Sequence, residues 1–154
     1  MLRLTKKTDY GLMALKYLAE HPGVPSQSAK DIAEAYHIPP QLLAKILQRL
    51  TKVGLLRSHA GINGGYSLSR DPAEITAFEV IRAIDGPLFI TSCSPAMGSA
   101  RSCDLLNSCT IKEPLAKVND TITDVLKNIC IADLVDSMSY DRRMQGGQSL
   151  VTLS

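Results

Sequence analysis

Cys93, Cys103 and Cys109 fall in one short stretch punctuated by Ser, Pro, Gly and Asp, in the arrangement Cys-x9-Cys-x5-Cys. Thiolates are soft donors for iron, zinc or copper and the nucleophiles of disulfide exchange, so a polar loop carrying three of them invites chemistry. The spacing lacks the Cys-x2-Cys pairs of a zinc knuckle or a dithiol active site, which counts against structural zinc and thioredoxin-like catalysis. Iron–sulfur ligation remains open, because a flexible loop can gather thiolates around a cluster whatever their spacing. Three cysteines leave one ligand position for another residue, a small molecule or solvent, and incomplete thiolate ligation suits a labile sensor better than an electron carrier. The plain alternative is three reduced thiols with no cofactor. Cys130 sits between Ile129 and Ile131 and reads as a packed thiol.

The elements that must position these cysteines belong to a chain of 154 residues, enough for one compact domain with an appended element. The charged opening Met1–Asp9 does not read as a secretory leader and no apolar run approaches a membrane span, so the expectation is a cytoplasmic protein with no membrane partner. In a reducing cytosol, clustered thiols are more often ligands or redox sensors than structural disulfides. The net charge of +2 is unevenly placed, with ten Lys or Arg against four Asp or Glu in residues 1–70 and seven against eleven afterwards. A basic first part and an acidic second part fit a polyanion-binding module joined to a sensing or pairing module.

The basic part begins with helical periodicity over Thr8–Glu20, through Leu12, Leu15, Leu18 and Ala19. Ser28 is placed to cap a short helix Ala29–Tyr36, with Asp31 three residues on. The turn His37-Ile38-Pro39 leads to Pro40, suited to a first helical position, and to a helix Gln41–Val53. Its apolar stripe is Leu43, Ile46, Leu47 and Leu50, leaving Gln41, Lys45, Gln48 and Arg49 on the other face. Two short helices and a tight turn, the second offering amides and cations, form a helix-turn-helix pattern that can read a major groove. Residues 55–59 and 66–69 read as strands around Ala60-Gly61-Ile62-Asn63-Gly64-Gly65, a glycine-rich hairpin tip. That tip lacks the Gly-Lys-Ser/Thr ending and following helix of a nucleotide loop, so it reads as a wing beside the helix-turn-helix.

A further helix is expected over Thr76–Ile84, closed by Asp85-Gly86-Pro87, and a long one from Glu113 or Pro114 to about Ile129. The latter carries Leu115, Val118, Ile122, Val125, Leu126 and Ile129 at steps of mainly three and four, an apolar face wide enough for a partner helix. The expected organisation is a mainly α protein. Its winged helix-turn-helix DNA-binding domain, with a small β-hairpin wing, spans 1–85, the cysteine-rich cluster-binding loop spans 86–112, the dimerisation helix 113–138 and a flexible tail 139–154. A small helix-turn-helix protein commonly meets a palindromic site as a dimer. A homodimer on a double-stranded DNA operator is therefore expected.

The opening Leu2-Arg3-Leu4-Thr5-Lys6, the helix-turn-helix, Gly64-Gly65-Tyr66 in the wing, Glu79-Val80-Ile81 and the three-cysteine loop together resemble the winged-helix iron–sulfur regulators that include IscR, NsrR and RirA. The opening residues and Asp85-Gly86-Pro87 look most like the branch that regulates SUF cluster-assembly operons. The resemblance spans roughly residues 1–138 and implies a cluster, 2Fe-2S or 4Fe-4S, held by Cys93, Cys103 and Cys109. It also implies Asp9 as fourth ligand, matching an aspartate that NsrR-like members supply from the partner subunit. Three departures stand out. Lys112 occupies the position of an IscR-like histidine, the first inter-cysteine gap is longer than the family's, and Ala60 stands where IscR-like wings carry an arginine.

The function expected is cluster-tuned transcription regulation, controlling cluster-assembly or iron and redox-stress genes, with no enzymatic activity. The residues expected at the DNA are Arg3, Lys6, Lys7, Ser28, Gln41, Leu42, Lys45, Gln48, Arg49, Arg57, His59, Gly61, Asn63, Gly64 and Gly65. Two alternatives stay open: a cofactor-free regulator governed by thiol oxidation or a protein partner, and an iron–sulfur electron carrier or redox enzyme. The last lacks a nucleotide fingerprint and leaves the basic helix-turn-helix unexplained.

Overall fold

The computed structural model describes residues 3–91 and 107–135. The described chain is mainly helical, in the order α1 (Lys6–Glu20), α2 (Ala29–Tyr36), α3 (Pro40–Lys52), β1 (Leu56–His59), β2 (Gly65–Leu68), α4 (Ala77–Asp85), α5 (Lys112–Lys127) and α6 (Ile131–Val135), with a 3₁₀ turn at Pro72–Glu74. Local chemistry fixes most boundaries. Thr5 caps α1, its hydroxyl accepting from the Thr8 amide, which extends the helix two residues ahead of the expected start. Ser28 caps α2 reciprocally: its hydroxyl accepts from the Asp31 amide at 3.1 Å and donates to the Asp31 carboxylate at 2.7 Å. His37 closes α2 in the left-handed region at φ 54°, and Pro40 opens α3.

The core is built where the apolar faces of α1, α2 and α3 meet. Leu15, Ile32, Leu43, Leu47 and Leu50 are fully buried, and Ile75, Val80 and Ile131 join the same cluster. Burying each such side chain contributes roughly 1.5–3 kcal/mol against the ordering entropy of the chain. The hairpin is antiparallel, pairing Leu56 with Leu68 and His59 with Gly65. Its inner residue Leu56 is buried, whereas Arg57, Ser58 and His59 are exposed.

The wing is fastened to the body by a third segment. The Gln27 amide donates to the Tyr66 carbonyl at 3.0 Å, and the Tyr66 amide donates back to Gln27 at 2.8 Å. A Cβ at Gly65 would lie 2.3 Å from the Gln27 carbonyl oxygen, so this close backbone approach requires glycine. α4 carries a full capping box: the Thr76 hydroxyl accepts from the Glu79 amide, and Glu79 accepts from the Thr76 amide at 3.0 Å. Arg70 adds a 2.9 Å ion pair to Glu79. Burial alone would push the Glu79 carboxyl up, but the Thr76 amide and the Arg70 guanidinium together hold it below the ordinary range.

The segment expected as a single dimerisation helix over 113–138 contains two helices in its described part, and the second returns to the winged-helix body. The Ala77 amide donates to the Ile129 carbonyl at 2.8 Å, the Ile131 amide to Ile75 at 2.9 Å, and Ile131 is fully buried. Cys130 is half-buried at this junction. Its amide and thiol both donate to the Asp133 carboxylate, at 2.9 and 3.1 Å, and burial pushes the thiol up, in keeping with a packed rather than a reactive cysteine. α5 is different: no residue of it is buried. Among the described residues no helix is long and apolar enough to cross a membrane. The tail 139–154 lies outside the described residues.

Candidate nucleic-acid interface and cysteine segment

The buried face of α3 turns Gln41, Lys45, Gln48 and Arg49 outward, and all four are exposed. Beside them runs a groove of about 450 Å³ lined by Lys7, Lys45, Arg49 and Lys52 together with Leu42, Ile46, Gln48 and Ile84. Four cations and no carboxylate line it, an arrangement suited to phosphate oxygens of a nucleic-acid backbone. Leu42 is half-buried in this groove and, being aliphatic, offers it no hydrogen-bonding group. Arg3, Lys6 and Lys7 are exposed at the start of α1, and Arg57 and His59 are exposed on β1, where the His59 ring lies 2.7 Å from the Ser67 hydroxyl.

Ser28 is occupied by its cap, so its hydroxyl is committed to Asp31, while the adjoining Ser26 hydroxyl donates to the Asn63 carbonyl at 2.8 Å. The tip is further closed by the Gly64 amide donating to Gly61 at 3.0 Å, with Gly61 at φ 103°. Lys52 is a groove residue that sequence reasoning omitted. Its position, seven residues after Lys45 and so on nearly the same helical face, was the available signal.

Arg49 plays a second part. Its guanidinium Nε–H donates a short bond to the Ala83 carbonyl near the end of α4. Two residues later Asp85 accepts from both the amide and the hydroxyl of Thr5, the α1 cap. Burial raises the Asp85 carboxyl, the two Thr5 bonds and the nearby Lys7 lower it, and the net effect holds it below the ordinary range. The end of α4 therefore grips both α3 and the cap of α1, immediately before the chain enters the cysteine segment.

Of the three cysteines, Cys109 is described: a half-buried free thiol three residues before α5, bordering an open groove with Lys112 and Glu113. Cys93 and Cys103 lie outside the described residues. Asp9 is exposed in the first turn of α1. Among the described residues no group of three or more His, Cys, Asp or Glu side chains is gathered for a metal. Lys112, an ammonium, is no iron ligand.

Comparison with known proteins decides the class. Residues 4–137 match the model of the Rrf2 family, described as iron-dependent transcriptional regulators. The chain belongs to this family. A curated relative, protein aau3 of Rhizobium meliloti (strain 1021), is 36% identical over 134 residues, covering 87% of this chain and 85% of its own length. Among solved structures, CymR of B. subtilis, the global cysteine regulator, superposes with TM-score 0.69 at 27% identity, over 89% of this chain and 98% of its own. IscR of T. potens does so with TM-score 0.68 at 30% identity, over 89% of this chain and 88% of its own. The chain is thus an Rrf2-family transcriptional regulator with a winged-helix DNA-binding fold, in agreement with the family resemblance of its motifs.

Proposed function

We propose that this Rrf2-family regulator binds operator DNA as a homodimer and that an iron–sulfur cluster on Cys93, Cys103 and Cys109, with Asp9 of the partner subunit as fourth ligand, sets its affinity. The donor chemistry fits: soft thiolates from one segment plus a carboxylate that is exposed and bonded to no other described residue. When bound, such a cluster supplies a labile, redox-sensitive crosslink. The genes controlled are those of cluster assembly or of iron and redox stress.

The observation that carries the proposal is the double grip at the end of α4. Ala83 holds Arg49 of α3, and Asp85 holds the Thr5 cap of α1, four residues before Asp9. A shift of the segment leaving α4 is transmitted to both helices as long as the two grips hold, because each ties its helix to the end of α4. In a dimer, a small displacement of α3 alters the half-site spacing and weakens several contacts together. At the DNA, Gln41, Lys45 and Gln48 face base edges, and Arg3, Lys6, Lys7, Arg49, Arg57, His59 and the backbone of Gly61, Asn63 and Gly65 hold the phosphates and sugars, the Gly64 amide being committed to Gly61. The dimer forms through α5, where the N-cap residue Ile111 and the helical Val118 and Val125 are 58%, 46% and 52% exposed at seven-residue intervals.

A second reading, a cofactor-free regulator answering to thiol oxidation or a protein partner, draws support from the likeness to CymR. One experiment separates the two. Operator binding is compared for the parent chain and the Cys93, Cys103 and Cys109 triple Ser variant, prepared without oxygen and then treated with an iron chelator or a thiol oxidant. The cluster reading predicts that chelation moves the parent's affinity to that of the variant. Response to oxidant alone supports the second reading, and equal binding throughout removes the cysteine segment as the switch.

A further inference from the structure

We infer that Ile62, at the tip of the wing, is an apolar wedge that enters the minor groove of the operator beside the half-site read by α3. The inference rests on the DNA-binding reading above and adds a specificity-determining residue to it. Ile62 is 104% exposed, as open to water as in an extended peptide. A lone exposed aliphatic residue is unremarkable on a mobile surface. This one stands on a tip that the fold holds in place. Paired backbone bonds join Gln27 to Tyr66, the Ser26 hydroxyl holds the Asn63 carbonyl, and the Gly64 amide closes the turn onto Gly61.

The tip Ala60–Gly65 contains no cation, so it has no side chain with which to neutralise a phosphate. Arg57 stands behind it on β1 and supplies that charge, with the polar His59 ring beside it. The tip therefore presents an aliphatic side chain ahead of a cationic one. That order suits insertion at a base step while the backbone phosphates are held from behind. Aliphatic wedges in the minor groove partly unstack a step and bend the duplex, at least cost at flexible pyrimidine–purine steps. Because β1 follows α3 through only three residues, Val53, Gly54 and Leu55, the distance from the step to the half-site is set by the fold. Selectivity arises from how easily the step opens, with no hydrogen bond to a base required.

The test uses the full chain and a duplex enriched by the parent from a randomised pool, with 2-aminopurine placed in turn at the steps flanking each half-site. The parent is expected to brighten the probe at one flanking step. Ile62→Ala and Ile62→Asn are expected to bind about tenfold more weakly and to lose that brightening. The salt dependence should not change, because no charge has been removed. Replacing the flanking step by a stiff A-tract should weaken the parent and leave Ile62→Ala unaffected. Ile62 is fully exposed, so these substitutions leave folding intact. Variant binding within about twofold of the parent, with brightening retained, overturns the inference and leaves the DNA reading standing. Unchanged DNA binding with altered sedimentation overturns it in favour of a protein contact. A parent that enriches no duplex overturns the DNA reading itself, and the wedge with it.

Discussion

If the proposed homodimer forms through α5, replacing Val118 and Val125 together by Asp should convert it to monomers. The two valines are 46% and 52% exposed within one chain, so about half of each side chain is left to bury against a partner. Full burial of a valine contributes roughly 1.5 kcal/mol, so each contributes about 0.8 kcal/mol at the seam, and two in each of two chains about 3 kcal/mol. A decade in dissociation constant corresponds to about 1.4 kcal/mol, so the loss of apolar burial alone weakens association by about a hundredfold. Carboxylates facing one another add to this, because like charges at a seam cannot both be desolvated. Sedimentation equilibrium over a range of concentrations measures the constant directly. Asp120→Lys is the control: Asp120 is exposed on α5, away from the Val118–Ile122–Val125 stripe, and the change should leave association intact. A double variant that associates as tightly as the parent, with its helical content unchanged, would refute α5 as the dimer seam.

The grip of Asp85 on Thr5 should show in acid. Its carboxyl titrates below the ordinary value near 3.8, so it contributes stability above that pH that is lost as pH falls through its folded-state pKa, and Asp85→Asn should flatten the pH dependence of unfolding in that window. Lys45→Ala should weaken operator binding and reduce the slope of log affinity against log salt if it meets a phosphate, or relax base preference at one position if it meets a base edge. Gly65→Ala forces a Cβ to within 2.3 Å of the Gln27 carbonyl, and should lower the melting temperature and DNA affinity together. Ile131→Ala should destabilise the protein by about 2–5 kcal/mol in denaturant titrations, because Ile131 is fully buried where α6 docks.

What was legible in the sequence was the local part of the structure. α2 lies where Ser28 and His37 bracket it, and α3 opens at Pro40, the residue suited to a first helical position. The wing strands lie within a residue of the expected positions because a glycine-rich tip separates them and the second, Tyr66-Ser67-Leu68-Ser69, alternates apolar and polar residues. Long-range devices were not legible. The Gln27–Tyr66 bridge joins backbones thirty-nine residues apart and leaves no pattern in side-chain type. The return of α6 to the body depends on Ile131, which reads equally well as one more apolar residue of a continuing helix. Arg49 and Asp85 were visible as a cation and a helix end, but their shared connection to the end of α4 exists only in the folded chain. The site was legible as residue types: the exposed face of α3 and Cys109 are where the pattern put them. The basic groove includes Lys52 and Ile84, which meet only when α3 and α4 pack.

The most direct test of the account is anaerobic purification of the full chain, with the visible absorption spectrum, iron and acid-labile sulfide measured on one sample and operator binding measured before and after cluster removal. Cluster-tuned DNA binding requires a coloured protein with stoichiometric iron and sulfide whose operator affinity changes when the cluster is stripped. A colourless protein that resists anaerobic reconstitution, or a coloured one that binds the operator equally with and without its cluster, would contradict it.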